Sequence, residues 1–413
     1  MTNNMFYGVI ATGGDAPTDR ALTNIITAIS YLVPLLLINK MNPQLRMWYF
    51  FVTGYMVVLM LESYYTYGTL FIYPHVFAKI SKLYLIFFIY TIYKKYNKVG
   101  LKLVIYTIII FFISNMILVN SQALSVSSFT SHQRGLAADE VYFLLLPCLY
   151  FFNKYLFDKK QLNLILFFVF LGFIIFFQHR TVWMSTMAGL ILNLILTNWR
   201  SKARFTFSTL IPIAFYLTIG SVVILSFVFA AKPEIFKKLA DNVSDIQNYK
   251  SQGTGSWRYE QFLSYLPYIE ENILIGMRFQ GFELPIQFYQ QWTETTEVPV
   301  FEDMTGHHIH SNYIDTVFYF GLAGLLIFYI PFIIYFFTKV RKKKFLTTNQ
   351  VVLLSFCTTI FVFSYSYTWP FWSYALVGLL ALILERDIDE EGMEEEINKE
   401  PTTRVKSRVR LPV

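Results

Sequence analysis

Long apolar blocks alternate along the chain with short polar connections. The blocks run roughly 17 to 27 residues with almost no charge, the length a helix needs to cross a bilayer. They recur near 22–38, 47–66, 76–93, 102–119, 141–157, 162–178, 181–198, 206–230, 312–337, 351–367 and 370–384. This pattern predicts an all-α fold, a polytopic membrane helix bundle of about eleven (10 to 12) transmembrane helices. The block at 76–93 carries Lys79 and Lys82 and follows Pro74, which reads as a tilted or partly re-entrant span. Four regions follow from the spacing. Residues 1–231 form an N-terminal transmembrane bundle of about eight spans, 232–310 a large loop, 311–384 the C-terminal spans and 385–413 a charged tail.

Charge fixes the orientation. Basic residues cluster at alternate connections: Lys94, Lys95, Lys98 and Lys102, then Lys159 and Lys160, then Arg200, Lys202 and Arg204, then Lys339 and Arg341 to Lys344. The positive-inside rule puts these in the cytoplasm. The connections between them, including 121–140, the Gln178–Arg180 corner and the large loop, then face outward, to the periplasm of a bacterium. The same alternation leaves the N-terminus outside, and Met5–Ala11 is too short for the apolar core of a signal peptide. The tail, acidic from Glu385 to Glu396 and basic from Arg404 to Arg410, reads as a solvated, disordered segment.

Composition agrees with a membrane protein. Of 413 residues, 55% are hydrophobic and 15% charged, against about 25% charged in a soluble domain, which excludes a soluble enzyme. The net charge of +7 lies in the short clusters between apolar blocks, so topology explains it and nucleic acid is not an expected partner. Cys148 and Cys357 both sit inside apolar blocks and argue for neither a disulfide framework nor a zinc site.

An ionisable group inside or at the edge of a span is a functional candidate by default. Glu62, His179, Arg180 and Asp315 meet that condition, and the large loop adds Arg258, Arg278, His307, His308 and His310. Arg180 lies on the outer side, where the positive-inside bias disfavours it. It reads either as a snorkelling interfacial Arg beside Trp183 or as a guanidinium that grips phosphate oxygens in a fork. In Gly253–Glu260, Ser256 is a reasonable N-cap for a helix in which Phe262, Leu266 and Ile269 recur. Arg258 then opposes the helix dipole in the first turn, a local rule broken. The amphipathic stretch itself reads as a helix on the membrane surface. Three histidines in four residues lead into the ninth span. With no thiolate or carboxylate at a ligand spacing, zinc is disfavoured and general-base work is the better reading.

In this order these features resemble the O-antigen ligase and O-antigen polymerase superfamily of bacterial membrane glycosyltransferases. His310-Ser311, nine residues and then Gly321-Leu-Ala-Gly324 reproduce the family's His-Asn/Ser/Gln, nine residues, GxxG. The family's outward Arg at a span start is matched by Arg180, and its loop Arg by Arg258 with Ile275-Gly276 following. Ile327 stands where a third small or Trp position is sometimes found after GxxG, and the N-terminus lacks the family's usual inward start. The resemblance implies an enzyme of surface polysaccharide synthesis in the cytoplasmic (inner) membrane, with its active site facing the periplasm and no metal or other cofactor. The donor would be an undecaprenyl-diphosphate-linked oligosaccharide and the acceptor a saccharide hydroxyl, on a lipid-linked repeat unit or on lipid A core. His310, Arg180 and Arg258 would be catalytic, and Arg278, Trp183, His307, Asn312 and Asp315 would bind substrate. The reading leans to polymerase, with ligase the alternative. A lipid-linked saccharide flippase is the rival of another class. The concentration of polar candidates at one face favours surface catalysis over it.

Overall fold

A computed structural model describes residues 17–72, 74–96, 100–124, 136–201, 207–231, 244, 253–282 and 311–385. Among these the chain is helical, and its β-type pairing is an isolated parallel bridge from Ser201 to Leu346. In chain order the helices are α1 (Pro17–Leu36), α2 (Pro43–Tyr67), α3 (Pro74–Ser81), α4 (Tyr84–Tyr96), α5 (Leu101–Leu118), α6 (Ala138–Phe143), α7 (Leu145–Asp158) and α8 (Gln161–Phe176). They continue as α9 (Arg180–Arg200), α10 (Ile211–Ala231), α11 (Gly253–Glu271), α12 (Asn312–Phe328), α13 (Ile330–Lys342), α14 (Thr348–Phe363) and α15 (Phe371–Glu385).

Five described segments are long and apolar enough to cross a membrane: α2, Val76–Tyr96 through α3 and α4, α5, α9, and Asn312–Lys342 through α12 and α13. The helices α8, α14 and α15 and the Ser208–Gly220 part of α10 are apolar but shorter. Large apolar side chains such as Ile110, Ile117 and Leu118 of α5 and Leu162 of α8 are exposed, as expected where the surrounding solvent is lipid.

Local chemistry sets the helix ends. The Asn42 side chain accepts from the Gln44 backbone N–H at 2.9 Å with Pro43 in the first turn, and Gly68 closes α2 at φ 73°. Thr347 and Gln350 form a capping box at the start of α14. Between helices, small residues permit close approach and polar pairs fix register. At Gly189 an added Cβ would come within 3.0 Å of Thr359 Cγ2, so α9 lies tightly on α14. Asn153 of α7 donates to Asn193 Oδ1 (2.8 Å) and Thr197 Oγ1 (3.1 Å) of α9, all three buried. Tyr142 of α6 meets Thr359 at 2.9 Å and stacks near Phe363.

Charge gathers at the opposite end of α14 and its neighbours. Glu385, at the end of α15, accepts from Tyr90 and from Lys94 (3.0 Å) of α4, and from Tyr335 (3.0 Å) and Lys339 (3.1 Å) of α13. This node ties three helices where two of the basic clusters begin, which marks the end carrying the cytoplasmic signature.

Helix α11 is where sequence and structure part. The amphipathic pattern predicts a helix on the membrane surface. In the structure α11 packs beside α12, with buried Tyr265 against Phe318 (ring centroids 4.8 Å) and Ile269 also buried. Tyr265 and Ile269 thus have a protein partner, while Phe262 and Leu266 of the predicted stripe stay half-buried.

Candidate functional site

The end of the bundle opposite the Glu385 node collects the first turns of α6, α9 and α12, the N-terminal part of α11 and the link 364–370 from α14 to α15. Ser311 Oγ and the Asn312 N–H both donate to Ser364 O, at 3.3 and 3.0 Å, and so seat α12 on that link. The Asn312 side chain is used twice more: its Nδ2 donates to the Tyr329 hydroxyl and its Oδ1 accepts from the Trp369 N–H at 3.3 Å. Asn312, read from sequence as a substrate group, is buried with its amide engaged in the fold.

Helix α11 begins at Gly253, so Ser256 lies inside it and is not its N-cap. Arg258 falls in the second turn, past the end of the dipole. Half-buried there, Arg258 lies over the Tyr367 ring at 4.9 Å. Tyr367 stacks on Phe363 (5.1 Å), and Phe363 meets Tyr142 at a tilt (4.4 Å). Arg180 opens α9 after a tight corner in which Gln178 takes φ 54° and His179 caps the helix. His179 is buried and its Nε2 stands 2.9 Å from Leu136 O. The ring is committed to the corner. Trp183, half-buried, donates its indole N–H to Ile174 O at 3.0 Å and so braces α8 against α9. Arg180 is half-exposed at that corner. α9 and α14 pack along their length and Arg258 rests on the link that ends α14, so both arginines stand at one end of the bundle.

Below this mouth the backbone makes an unusual crossing. Helix α12 is broken at Gly321 (φ 60°, ψ −154°). Residues 273–278 pass through the break and exchange backbone hydrogen bonds with it. Met277 N donates to Phe318 O (2.7 Å), Arg278 N to Tyr319 O (3.0 Å), Leu322 N to Ile273 O (2.8 Å) and Ala323 N to Leu274 O (3.1 Å). Irregular backbone at membrane depth needs such partners. Gly276 (φ 69°) and Gly321 face each other there, and a Cβ on either would strike the other strand's backbone. A Cβ on Gly324 would press on Phe320 Cβ (2.6 Å) and Thr316 Cγ2 (2.9 Å). Gly321, the first glycine of the GxxG, and the Ile275-Gly276 turn are thus two halves of one joint, while Gly324 packs within its own helix.

The same joint carries charge. Arg278, at φ 49°, donates from Nη1 to Glu62 Oε2 at 2.9 Å. Tyr67 of α2 donates to Phe279 O (3.0 Å), and Phe77 of α3 stacks on Phe279. Lys79 of α3 donates to both carboxylate oxygens of buried Asp315, at 2.6 and 2.7 Å, and sits 4.6 Å above the Tyr319 ring. Asp315 also lies in the first turn of α12, where an anion complements the helix dipole. Lys79, one of the two lysines that interrupt the 76–93 block in sequence, is therefore a site-side residue, and sequence reasoning did not assign it. Two lysines in an apolar span are the signal that points to it.

His307, His308 and His310 fall outside the described residues. His310 adjoins Ser311 in the chain, and Ser311 is fixed at the mouth. Among the described residues no group of three His, Cys, Asp or Glu side chains is arranged to hold a metal ion.

The fold and the site define a multi-span helical membrane protein with cationic side chains gathered at one end of the bundle above a buried charged joint. Residues 165–329 match the family described as O-antigen ligase. This matched part of the chain, which holds Arg180, Arg258, Gly276, Asp315 and the GxxG, is similar to that family. No curated protein matches the chain.

Proposed function

We propose that the protein is an inverting, metal-independent glycosyltransferase of the bacterial inner membrane, a bundle of about eleven spans whose site faces the periplasm. It transfers a glycan from undecaprenyl diphosphate to a saccharide hydroxyl. The observation that carries this reading is the gathering of Arg180, Arg258 and the start of α12 at one end of the bundle, with His310 next in the chain to Ser311.

The chemistry asks little covalent help from the protein. The acceptor oxygen attacks the anomeric carbon, the bond from that carbon to the diphosphate oxygen breaks, and undecaprenyl diphosphate leaves with the bonding pair. Attack opposite the leaving group inverts the anomeric configuration. Arg180 and Arg258 neutralise the charge that grows on the leaving group, a task for which a guanidinium fork is suited. His310 takes the acceptor's proton. Arg278, held by Glu62, and Asp315, held by Lys79, shape the floor of the site, and His307, three positions before His310 in the chain, is assigned to substrate binding.

The acceptor we favour is a second lipid-linked repeat unit, which makes the protein a polymerase. Ile327, where a third small or Trp position is sometimes found, is buried with its carbonyl accepting from the Trp48 indole at 2.8 Å. Transfer to lipid A core, the ligase reaction, is the second reading, favoured by the description of the matched family. Deletion of the gene followed by gel analysis of the surface glycan separates the two. Core carrying a single repeat is expected for a polymerase; polymer accumulating on undecaprenyl diphosphate means a ligase; an unchanged glycan contradicts both.

A further inference from the structure

Helix α2 begins at the Glu385 end of the bundle, where the Asn42 N–H donates to the Tyr90 hydroxyl at 3.3 Å and Tyr90 donates to Glu385. Arg46 stands half-buried in its first turn, and among the described residues no carboxylate pairs with it. That turn holds no acidic residue, so the cation faces the positive end of the helix dipole without an offsetting charge. Phe50, Gly54 and Val58 follow Arg46 at four-residue spacing on the same face. With Ile327 of α12 they line a groove of about 660 Å³. Phe50 and Val58 are exposed. Gly54 makes the hollow between them, since a Cβ there would meet nothing within 4 Å.

Length and charge together select the occupant. From Arg46 to Val58 the helix rises about 18 Å, against about 15 Å for one leaflet's half of the hydrocarbon core. A groove one leaflet deep, with a cation at its membrane-surface end, suits an acyl chain below an anionic head group. The Glu385 end is also where two of the basic clusters begin, and such clusters attract anionic lipid. We propose that this groove binds one anionic phospholipid of the leaflet at the Glu385 end, with its phosphate on Arg46 and an acyl chain over Gly54. The site is separate from the mouth that holds Arg180 and Arg258, which lies at the opposite end of the bundle. The lipid supplies the anion that the first turn of α2 lacks. Its chain fills the seam between α2 and α12, where Trp48 donates its indole N–H to Ile327 O at 2.8 Å.

The test is native mass spectrometry of the full-length protein released from nanodiscs of phosphatidylcholine doped with phosphatidylglycerol. Wild-type protein should retain one phosphatidylglycerol in preference to phosphatidylcholine. Arg46→Gln should weaken that retention about tenfold or more, the worth of one charged hydrogen bond, and Arg46→Lys should keep most of it. Gly54→Leu leaves every charge in place and fills the hollow, so a comparable loss is expected; it reads the groove even if Arg46→Gln fails to fold. Lys40→Gln removes an exposed cation at the same end but outside the groove, and should change nothing. Equal retention of the two lipids by the wild type leaves an ordinary lipid-facing surface and overturns the proposal. Retention unchanged in either Arg46→Gln or Gly54→Leu overturns it too. A loss in Lys40→Gln equal to that in Arg46→Gln makes the effect one of general surface charge, and displacement of the lipid by inorganic phosphate makes Arg46 a water-fed anion site; either result overturns the assignment.

Discussion

Arg180 carries the clearest consequence of guanidinium geometry. Lysine keeps the charge but not the planar fork that matches two phosphate oxygens. Arg180→Lys is expected to lose most transfer while the protein level stays normal, measured as glycan length on gels beside an immunoblot. Near-normal glycan in both Arg180→Lys and Arg258→Lys leaves the arginines as membrane-interface anchors. Asp315 makes the complementary case. Its removal strands Lys79 inside the bundle, because the two groups are bonded at 2.6 and 2.7 Å and largely shielded. Asp315→Asn is expected to destabilise the protein by about 3 to 5 kcal/mol, the usual cost of breaking a buried pair, and a Lys79→Met, Asp315→Leu double variant should recover much of that. Thermal unfolding in detergent measures both, and equal stability of Asp315→Asn and wild type contradicts the pairing. The residue scale is also where sequence was least informative. Lys79 and Asp315 lie 236 positions apart, and no local pattern announces that one lysine in an apolar span answers one aspartate in another. The polar atoms of Trp183 and Asn312, expected to bind substrate, brace the α8–α9 corner and the seat of α12.

Among the elements, the decisive one is the joint between α12 and residues 273–278. A glycine at Gly276 is required twice over, by φ 69° and by the Phe320 and Gly321 backbone that a Cβ would meet. Gly276→Ala is expected to cost about 1 to 3 kcal/mol from its backbone conformation alone, with more from displacing α12. Because Ser311 and Asn312 ride on the same helix, transfer should fall further than stability does. Normal activity in Gly276→Ala, compared at equal protein level, contradicts a rigid joint. The GxxG was legible in the sequence as a family pattern, but the reason for it was not. Two glycines spaced in a helix give no hint that a second segment crosses at the first of them. Helix α11 was legible as a helix from its 3.6-residue apolar spacing. Its partner was not, since the same stripe serves a membrane surface or a neighbouring helix equally well.

For the whole molecule, hydropathy and basic loops made the class of fold readable at once, because lipid permits so few architectures. The alternation of Lys and Arg clusters assigns the ends, and the Glu385 node joins two of those clusters in space. Tyr365, exposed in the link 364–370, is expected on the outer side and Lys342, exposed at the end of α13, in the cytoplasm. The native cysteines are both buried, so cysteines placed at these positions report alone. A membrane-impermeant maleimide added to intact spheroplasts should label Tyr365→Cys and leave Lys342→Cys untouched. The reverse pattern inverts the molecule and takes the periplasmic site with it.

The most direct test of the account is transfer by the purified protein in nanodiscs, supplied with a repeat unit on undecaprenyl diphosphate and with EDTA present. Wild-type protein should release undecaprenyl diphosphate as it lengthens the glycan. His310→Ala should slow that release by roughly 10² to 10⁴, the usual worth of a general base, and His308→Ala should be nearly silent. No release by the wild type, or undiminished release by His310→Ala, contradicts the account.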